Sequence, residues 1–177
     1  VEFRRVLFRS CVLNVQQAYE LQNAVAKLRC QRGERLIGYK VGCTSAAIQA
    51  QLKISHRVRG FLFDTEQYES GVALARQSFD NLAIEGELAI ELSREPRDED
   101  FADHLLPPCI SRIFPVIELH NHVMRGQQAL AGELIANNAI HAGFISGKGG
   151  LTPSHFSETM FDGARLRSEE HTSELQS

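Results

Sequence analysis

Apolar and polar residues recur along the first part of the chain at helical spacing. Asn14 followed by Gln17 has the form of a helix N-cap and its return partner, and apolar residues then recur every three or four positions as far as Leu28. The pattern predicts a helix that ends near Gly33. Its glutamines, including Gln22, are expected on the solvent-facing side.

Residues 35–42 alternate apolar side chains with Gly38, Lys40 and Gly42, which predicts a strand. The apolar side chains are expected to join the core. Lys40 is expected on the opposite face, between two glycines that leave room for a ligand or another chain segment. A surface lysine on an edge strand is the alternative.

Shorter patterns predict the remaining elements. Thr44 or Ser45 can cap a short helix that runs through Leu52. The other segments are assigned as strands at residues 60–63 and 134–147, a loop or hairpin connection at residues 64–71, and a charged, solvent-facing loop at residues 93–103.

Two strand-like apolar runs carry carboxylates. Within residues 83–92, Glu85 and Glu87 share one strand face with Cα atoms roughly 6.6 Å apart, so both could bind one cation. A solvated strand face is the alternative, because E-x-E alone is a weak motif. Glu118 lies within residues 113–119, where burying an unpaired carboxylate would cost several kcal/mol. A compensating partner for Glu118 is therefore expected.

Composition narrows the class of protein. The 177 residues are 43% hydrophobic and carry a formal charge of −3 without a basic block, which favours a packed globular core over a nucleic-acid or membrane-surface partner. No apolar run approaches the length of a membrane span. The four cysteines are scattered without a C-x-x-C pair, as expected for reduced thiols in a soluble, cytoplasmic protein.

Both ends of the chain are expected to be foreign to the protein. One choice of codons for residues 2–10 has a reverse complement that encodes residues 167–175 without a mismatch, as a sequencing adapter read in both directions would. Residues 1–10 and 167–177 are therefore not expected to be part of the native fold. Residues 11–166 remain as a partial catalytic domain, and the formal charge stays at −3 because the two ends carry equal and opposite charge.

Four ordered motifs give the chain a family resemblance. They are GYKVG at residues 38–42, Thr44-Ser45, Glu85-Gly86-Glu87, and PVIE at residues 115–118. The chain resembles the 2-keto-4-pentenoate hydratase branch of the fumarylacetoacetate hydrolase superfamily, which includes 2-oxohepta-3-ene-1,7-dioate hydratases and 4-oxalocrotonate decarboxylases. The resemblance implies an α+β fold, a curled, mixed, mostly antiparallel β-roll of the fumarylacetoacetate hydrolase C-terminal-domain type with flanking helices. Here the roll would be incomplete at the C-terminal side, and the full-length protein would form a homo-oligomer.

The resemblance also implies a site and a reaction. Lys40 matches the active-site lysine of the family, and Glu85, Glu87 and Glu118 match its three acidic ligands, which suit Mg²⁺ or Mn²⁺. Small 2-oxo acids are the implied substrates. Gly42, Thr44 and Asn138 match substrate-side positions.

The implied activity is that of a divalent-metal-dependent lyase of 2-oxo or 2-hydroxydienoic acids, a 2-keto-4-pentenoate hydratase. A 4-oxalocrotonate-type decarboxylase, an acylpyruvate C–C hydrolase and a catalytically silent binding homologue are the alternatives. The hydrolase fits less well because its His-x-x-Glu pair is absent around His56. The chain as written, 177 residues long, is expected to be unstable or inactive, because the later strands of the family fold would be missing and the roll would have unpaired edges.

The chain departs from the family pattern at two places. After the third acidic residue it has His120-Asn121-His122-Val123 instead of a Val-Asp-Ser-Arg-like run, and residues 137–140 replace Asp-Asn-Ala-Ser with Asn-Asn-Ala-Ile. Both departures leave the substrate open. His120 and His122 could be metal ligands, although histidines beside a strand end are more often hydrogen-bonded or exposed.

Overall fold

The computed structural model describes residues 12–102, 106–123 and 130–155. The two ends that are predicted to be adapter-derived lie outside these ranges. The helices described are α1 (Val15–Gln31), α2 (Ala46–Leu52) and α3 (Ala131–Ala136). The strands are β1 (Leu36–Gly42), β2 (Val58–Phe63), β3 (Gln67–Glu69), β4 (Leu82–Leu92), β5 (Ile110–Asn121) and β6 (His141–Ser146).

The strands form two sheets. β1 and β2 pair antiparallel, with Lys40 opposite Gly60. The second sheet has the order β3-β6-β5-β4, in which β3 runs parallel to β6 and β5 antiparallel to it. The predicted α+β class is therefore confirmed. In the described ranges no helix has the length and apolar character needed to cross a membrane.

Two compact units make up the chain. The first consists of Val1–Glu87 with Val116–Lys148, and the second of Leu88–Pro115 with Gly149–Ser177. A core cluster of the first unit contains Ala18, Val58, Ile135 and Ala139, to which α1, β2 and the α3 region contribute.

In the second unit, Asp100 is buried and bonded to Arg94, so residues 93–102, the described part of the predicted loop, are not uniformly solvent-facing. The Arg94 guanidinium and the Arg97 backbone N–H hold the pKa of the Asp100 carboxyl below its usual value.

Helix α1 begins as the sequence predicts, but its glutamine face is not all solvated. Asn14 and Gln17 form the capping box. Gln22, however, is 2% exposed, and its side-chain Nε2 donates to the backbone carbonyls of Arg59 and Ile135 at 3.0 and 2.8 Å. The prediction for Gln22 was wrong because β2 and α3 present buried carbonyls that need a donor at this position.

Replacing Gln22 with methionine is expected to lower the free energy of unfolding by about 1–3 kcal/mol, since the buried Ile135 carbonyl and the partly buried Arg59 carbonyl lose their donor. Gln16→Met is the matched control, because Gln16 is exposed and its amide donates to Glu20 on the helix surface. The control should stay within about 0.5 kcal/mol of the parent in urea titrations. Equal midpoints for the two variants would contradict the role of Gln22.

Strand β1 has the predicted alternation with the opposite orientation. Ile37, Tyr39 and Val41 are 42, 56 and 53% exposed, whereas Lys40 is 9% exposed. The apolar face of β1 was predicted to join the core and does not. Alternation fixes which residues share a face, but the buried carboxylate of Glu118 decides which face turns inward, because an ammonium can offset its charge.

Two other segments differ from their predicted structure. Residues 134–147 were predicted as a strand after a loop, but the end of α3 and a kinked turn occupy their first half, and β6 only the second. Residues 64–71 were predicted as a connection, yet they contain β3, which pairs with β6. Small apolar residues fit either state, so their tertiary partners decide it.

Candidate active site

A buried ion pair joins β1 to β5. The Nζ atom of Lys40 lies 2.7 Å from Oε1 of Glu118, and the two side chains are 8 and 3% exposed. The predicted compensating partner of Glu118 is therefore Lys40. Desolvation penalises an unpaired charge, so neither residue could be buried alone at small cost.

Two histidines complete the surroundings of Glu118. His141 Nδ1, on β6, lies 2.6 Å from Glu118 Oε1, and His120 Nε2 lies 3.0 Å from Oε2. Burial alone would raise the pKa of the Glu118 carboxyl, but His120, His141 and the Lys40 ammonium together hold it below its usual value. Glu118 is therefore held as an anion by these neighbours.

The E-x-E pair of β4 faces the same cavity as Lys40. The cavity has a volume of about 650 Å³, and Glu85 and Glu87 both line it. Burial raises the pKa of the Glu87 carboxyl, and the negative charge of Glu118 raises it further. Three carboxylates thus stand around one ammonium, an imbalance that favours an added cation.

The described residues offer a group that can hold such a cation. Glu85, Glu118 and His120 each present one ligand atom, and these atoms all lie within 4.8 Å of one another. Glu118 Oε2 is buried and has no assigned hydrogen bond among the described residues, although His120 Nε2 lies 3.0 Å away. Carboxylate oxygens and an imidazole nitrogen suit a divalent cation. As the side chains stand, Glu87 is not in this group.

Of the three substrate-side positions predicted from the sequence, two line the cavity and one does not. Gly42 and Thr44 line the cavity, together with Ala139 and Ile140. Asn138 does not: its side chain accepts from the Phe61 backbone N–H at 2.7 Å and donates to the Phe61 carbonyl at 2.8 Å. The structure therefore gives Asn138 a positioning role, fixing residues 138–140 against β2.

Two residues of the site were not singled out from the sequence. His141 lies 23 positions from Glu118, and the pairing of β5 with β6 brings them together. Gly60 lies opposite Lys40, where a Cβ atom would come 2.8 Å from both Lys40 Cγ and the Asn138 carbonyl oxygen. A lone glycine in an apolar strand was the only signal available for Gly60.

Comparison with known proteins gives several relatives of one kind. The chain is 32% identical over 132 residues to the 2-keto-4-pentenoate hydratase of Paraburkholderia phymatum. The aligned region covers 73% of this chain and 50% of the relative. The chain is 26% identical over 144 residues to the 2-hydroxyhexa-2,4-dienoate hydratase of Comamonas testosteroni, covering 80 and 54%. No protein-family model matches the chain.

A solved structure shares the fold. The 4-oxalocrotonate decarboxylase from Pseudomonas putida G7, complexed with magnesium and adipate, superposes with a TM-score of 0.73 at 21% identity, over 81% of this chain and 55% of that one. The chain spans about half the length of the curated relatives it matches. The resemblance to the hydratase branch is confirmed by these relatives.

Proposed function

We propose that the protein is a divalent-metal-dependent lyase of 2-oxo or 2-hydroxydienoic acids, specifically a 2-keto-4-pentenoate hydratase. The observation that carries the proposal is the buried pair of Lys40 and Glu118, 2.7 Å apart beside a cavity that Glu85 and Glu87 line. The names of the relatives describe hydratases of such acids, which supports the same reaction class.

Glu85, Glu87 and Glu118 are proposed to hold Mg²⁺ or Mn²⁺, since hard divalent cations take carboxylate oxygens. Such an ion supplies a Lewis acid that stabilises negative charge on the oxygens of a 2-oxo acid. Lys40 moves a proton at its Nζ atom while a 2-hydroxydienoate converts to the keto form, and water then adds to the remaining double bond. The product is a 4-hydroxy-2-oxo acid, and Gly42 and Thr44 contact the substrate.

The wider architecture is proposed along the same lines. Residues 11–166 form part of a catalytic domain, a curled β-roll that assembles into a homo-oligomer in the full-length protein. The described cysteines, Cys30, Cys43 and Cys109, are free thiols, which supports a cytoplasmic location.

The test is a spectrophotometric assay on the full-length protein. Loss of the absorbance of 2-hydroxypenta-2,4-dienoate is followed with Mg²⁺, then after chelation, and again in Glu85→Gln. We expect turnover that needs the metal and falls sharply in the variant. Turnover indifferent to both changes would refute the proposal, and release of carbon dioxide from an oxalocrotonate-type substrate would reassign the enzyme as a decarboxylase.

A catalytically silent binding homologue is the second candidate. Two polar residues at positions where the chain departs from the family pattern bond to the protein backbone. Asn121 Oδ1 accepts from the backbone N–H groups of Asp80 and Asn81 at 3.0 and 3.1 Å, and Asn137 donates to the Glu133 carbonyl at 2.9 Å. Calorimetry separates the two functions: 2-oxo acid binding without turnover supports the silent homologue, and turnover removes it.

Gly60→Ala is expected to reduce kcat/KM by roughly 10²-fold, since its new Cβ would come 2.8 Å from both Lys40 Cγ and the Asn138 carbonyl oxygen and displace Lys40, and small misplacements of a catalytic group are costly. Gly38→Ala is the control on the paired strand, where the added Cβ would meet only Leu62 Cδ1 at 3.6 Å. Steady-state kinetics of the two variants provide the measurement. Similar losses in both would show that strand glycines matter for folding and not for Lys40.

A further inference from the structure

We infer that His120 is a nitrogen ligand of the metal in addition to the proposed carboxylates, and that the site therefore prefers a transition ion such as Mn²⁺, Co²⁺ or Zn²⁺ over Mg²⁺. The inference rests on the proposed metal-dependent function: it adds a nitrogen donor to the proposed carboxylate ligands and narrows the choice of metal. The carboxylate motifs of the sequence pointed to an all-oxygen site.

The position of His120 is fixed by the β-sheet. His120 follows Glu118 by two residues on β5 and is 6% exposed. The register of β5 against β6 shifts between Leu119 and His120, an irregularity of the kind that re-aims side chains beside active sites. As a result, Nε2 of His120 comes within 3.0 Å of Glu118 Oε2, and its Nδ1 within 3.5 Å of Glu85 Oε1.

The contacts of His120 Nε2 conflict with one another in the absence of a metal. This nitrogen lies 3.1 Å from Lys40 Nζ, which as an ammonium can only donate, and 3.0 Å from Glu118 Oε2, which as a carboxylate can only accept. One ring nitrogen carries either a proton or a lone pair, so it cannot satisfy both. A cation can accept the lone pairs of Glu118 Oε2 and His120 Nε2 together, and the Lys40 ammonium then keeps Glu118 Oε1 at 2.7 Å and the Ala139 carbonyl oxygen at 3.5 Å as its acceptors.

The donor set determines which metal fits. Mg²⁺ takes oxygen ligands and rarely imidazole, whereas Fe²⁺, Co²⁺ and Zn²⁺ bind imidazole well and rise in affinity along the Irving–Williams order. Glu85, which is 56% exposed toward solvent, leaves the ion accessible.

The other histidines of this region are less suited to ligation. His122 also lines the cavity, but it is exposed, and its ring centroid is 6.3 Å from that of His120. His141 Nδ1 is engaged by Glu118 Oε1 at 2.6 Å, so it orients a ligand as a second-sphere partner. His122 therefore provides the matched control for His120.

The test uses Mn²⁺ as a paramagnetic probe in the full-length protein. Electron spin-echo envelope modulation should show coupling to a directly bound imidazole ¹⁴N in the parent and in His122→Gln, and should lose it in His120→Gln. Bound Mn²⁺ without nitrogen coupling in the parent would overturn the inference. This result is read from the parent protein alone and does not depend on the folding of any variant. Coupling that survives in His120→Gln would also overturn it.

Metal affinity gives a second readout. Competition with a chromophoric chelator should show tighter binding of Co²⁺ than Mg²⁺ in the parent, and His120→Gln should narrow that ratio by at least about tenfold. An unchanged ratio in a variant that retains its thermal transition would contradict the role of His120. If the parent binds no divalent ion at all, the proposed function fails together with the inference. If Mg²⁺ alone binds and supports turnover, only the inference fails.

Discussion

Replacing Glu118 with glutamine is expected to lower turnover by at least about 10³-fold, because the site loses several kcal/mol of metal-dependent charge stabilisation. The same change leaves the Lys40 ammonium without its buried partner at 2.7 Å. Removing one member of a buried ion pair costs about 3–5 kcal/mol of folding free energy. The variant should therefore be both inactive and less stable.

Glu91→Gln is the control for Glu118→Gln, since it makes the same chemical change on strand β4. Glu91 is 51% exposed and pairs with Arg112 at 2.8 Å, a surface contact worth about 1 kcal/mol or less. Chemical denaturation and metal titration are measured on both variants. A stable Glu118→Gln protein with normal metal affinity would show that Glu118 neither binds the metal nor neutralises Lys40.

The faces of individual strands were predictable from sequence, but the partners of those faces were not. Alternation placed Glu85 with Glu87 and set Lys40 apart from Ile37 and Tyr39 without any structure. It could not tell which side of β1 is buried, and the expected apolar core face is the exposed one. That choice depends on Glu118, which lies 78 residues further along the chain.

The parts of the site that sequence reasoning missed depend on pairing between distant strands. His141 reaches Glu118 because β6 runs antiparallel to β5, and Gly60 meets Lys40 because β2 pairs with β1 in that register. Neither relation leaves a local pattern. Residues 138–140 have positive φ angles of 53–57° without containing a glycine, so the usual signal for a left-handed turn was also absent.

Lys40→Met is expected to reduce kcat by about 10²–10⁴-fold, the range that proton transfer by a positioned side chain contributes. Metal affinity should not fall and is expected to rise, because the variant removes a positive charge 2.7 Å from Glu118 and 3.1 Å from His120. Lys40→Arg keeps the charge but stays protonated at all working pH values, so it should not restore turnover. Lys27→Met, on the exposed side of α1, is the control and should behave as the parent.

Two measurements on Lys40→Met separate a chemical role from a structural one. A role in proton transfer predicts lost turnover with retained or tighter binding of the metal and of a 2-oxo acid, read by calorimetry. A purely structural role predicts that metal binding and acid binding weaken as well, whereas the thermal transition should fall under either role because Glu118 loses its buried ammonium. Since Glu118 keeps His120 and His141 as neighbours in the variant, we expect the first result.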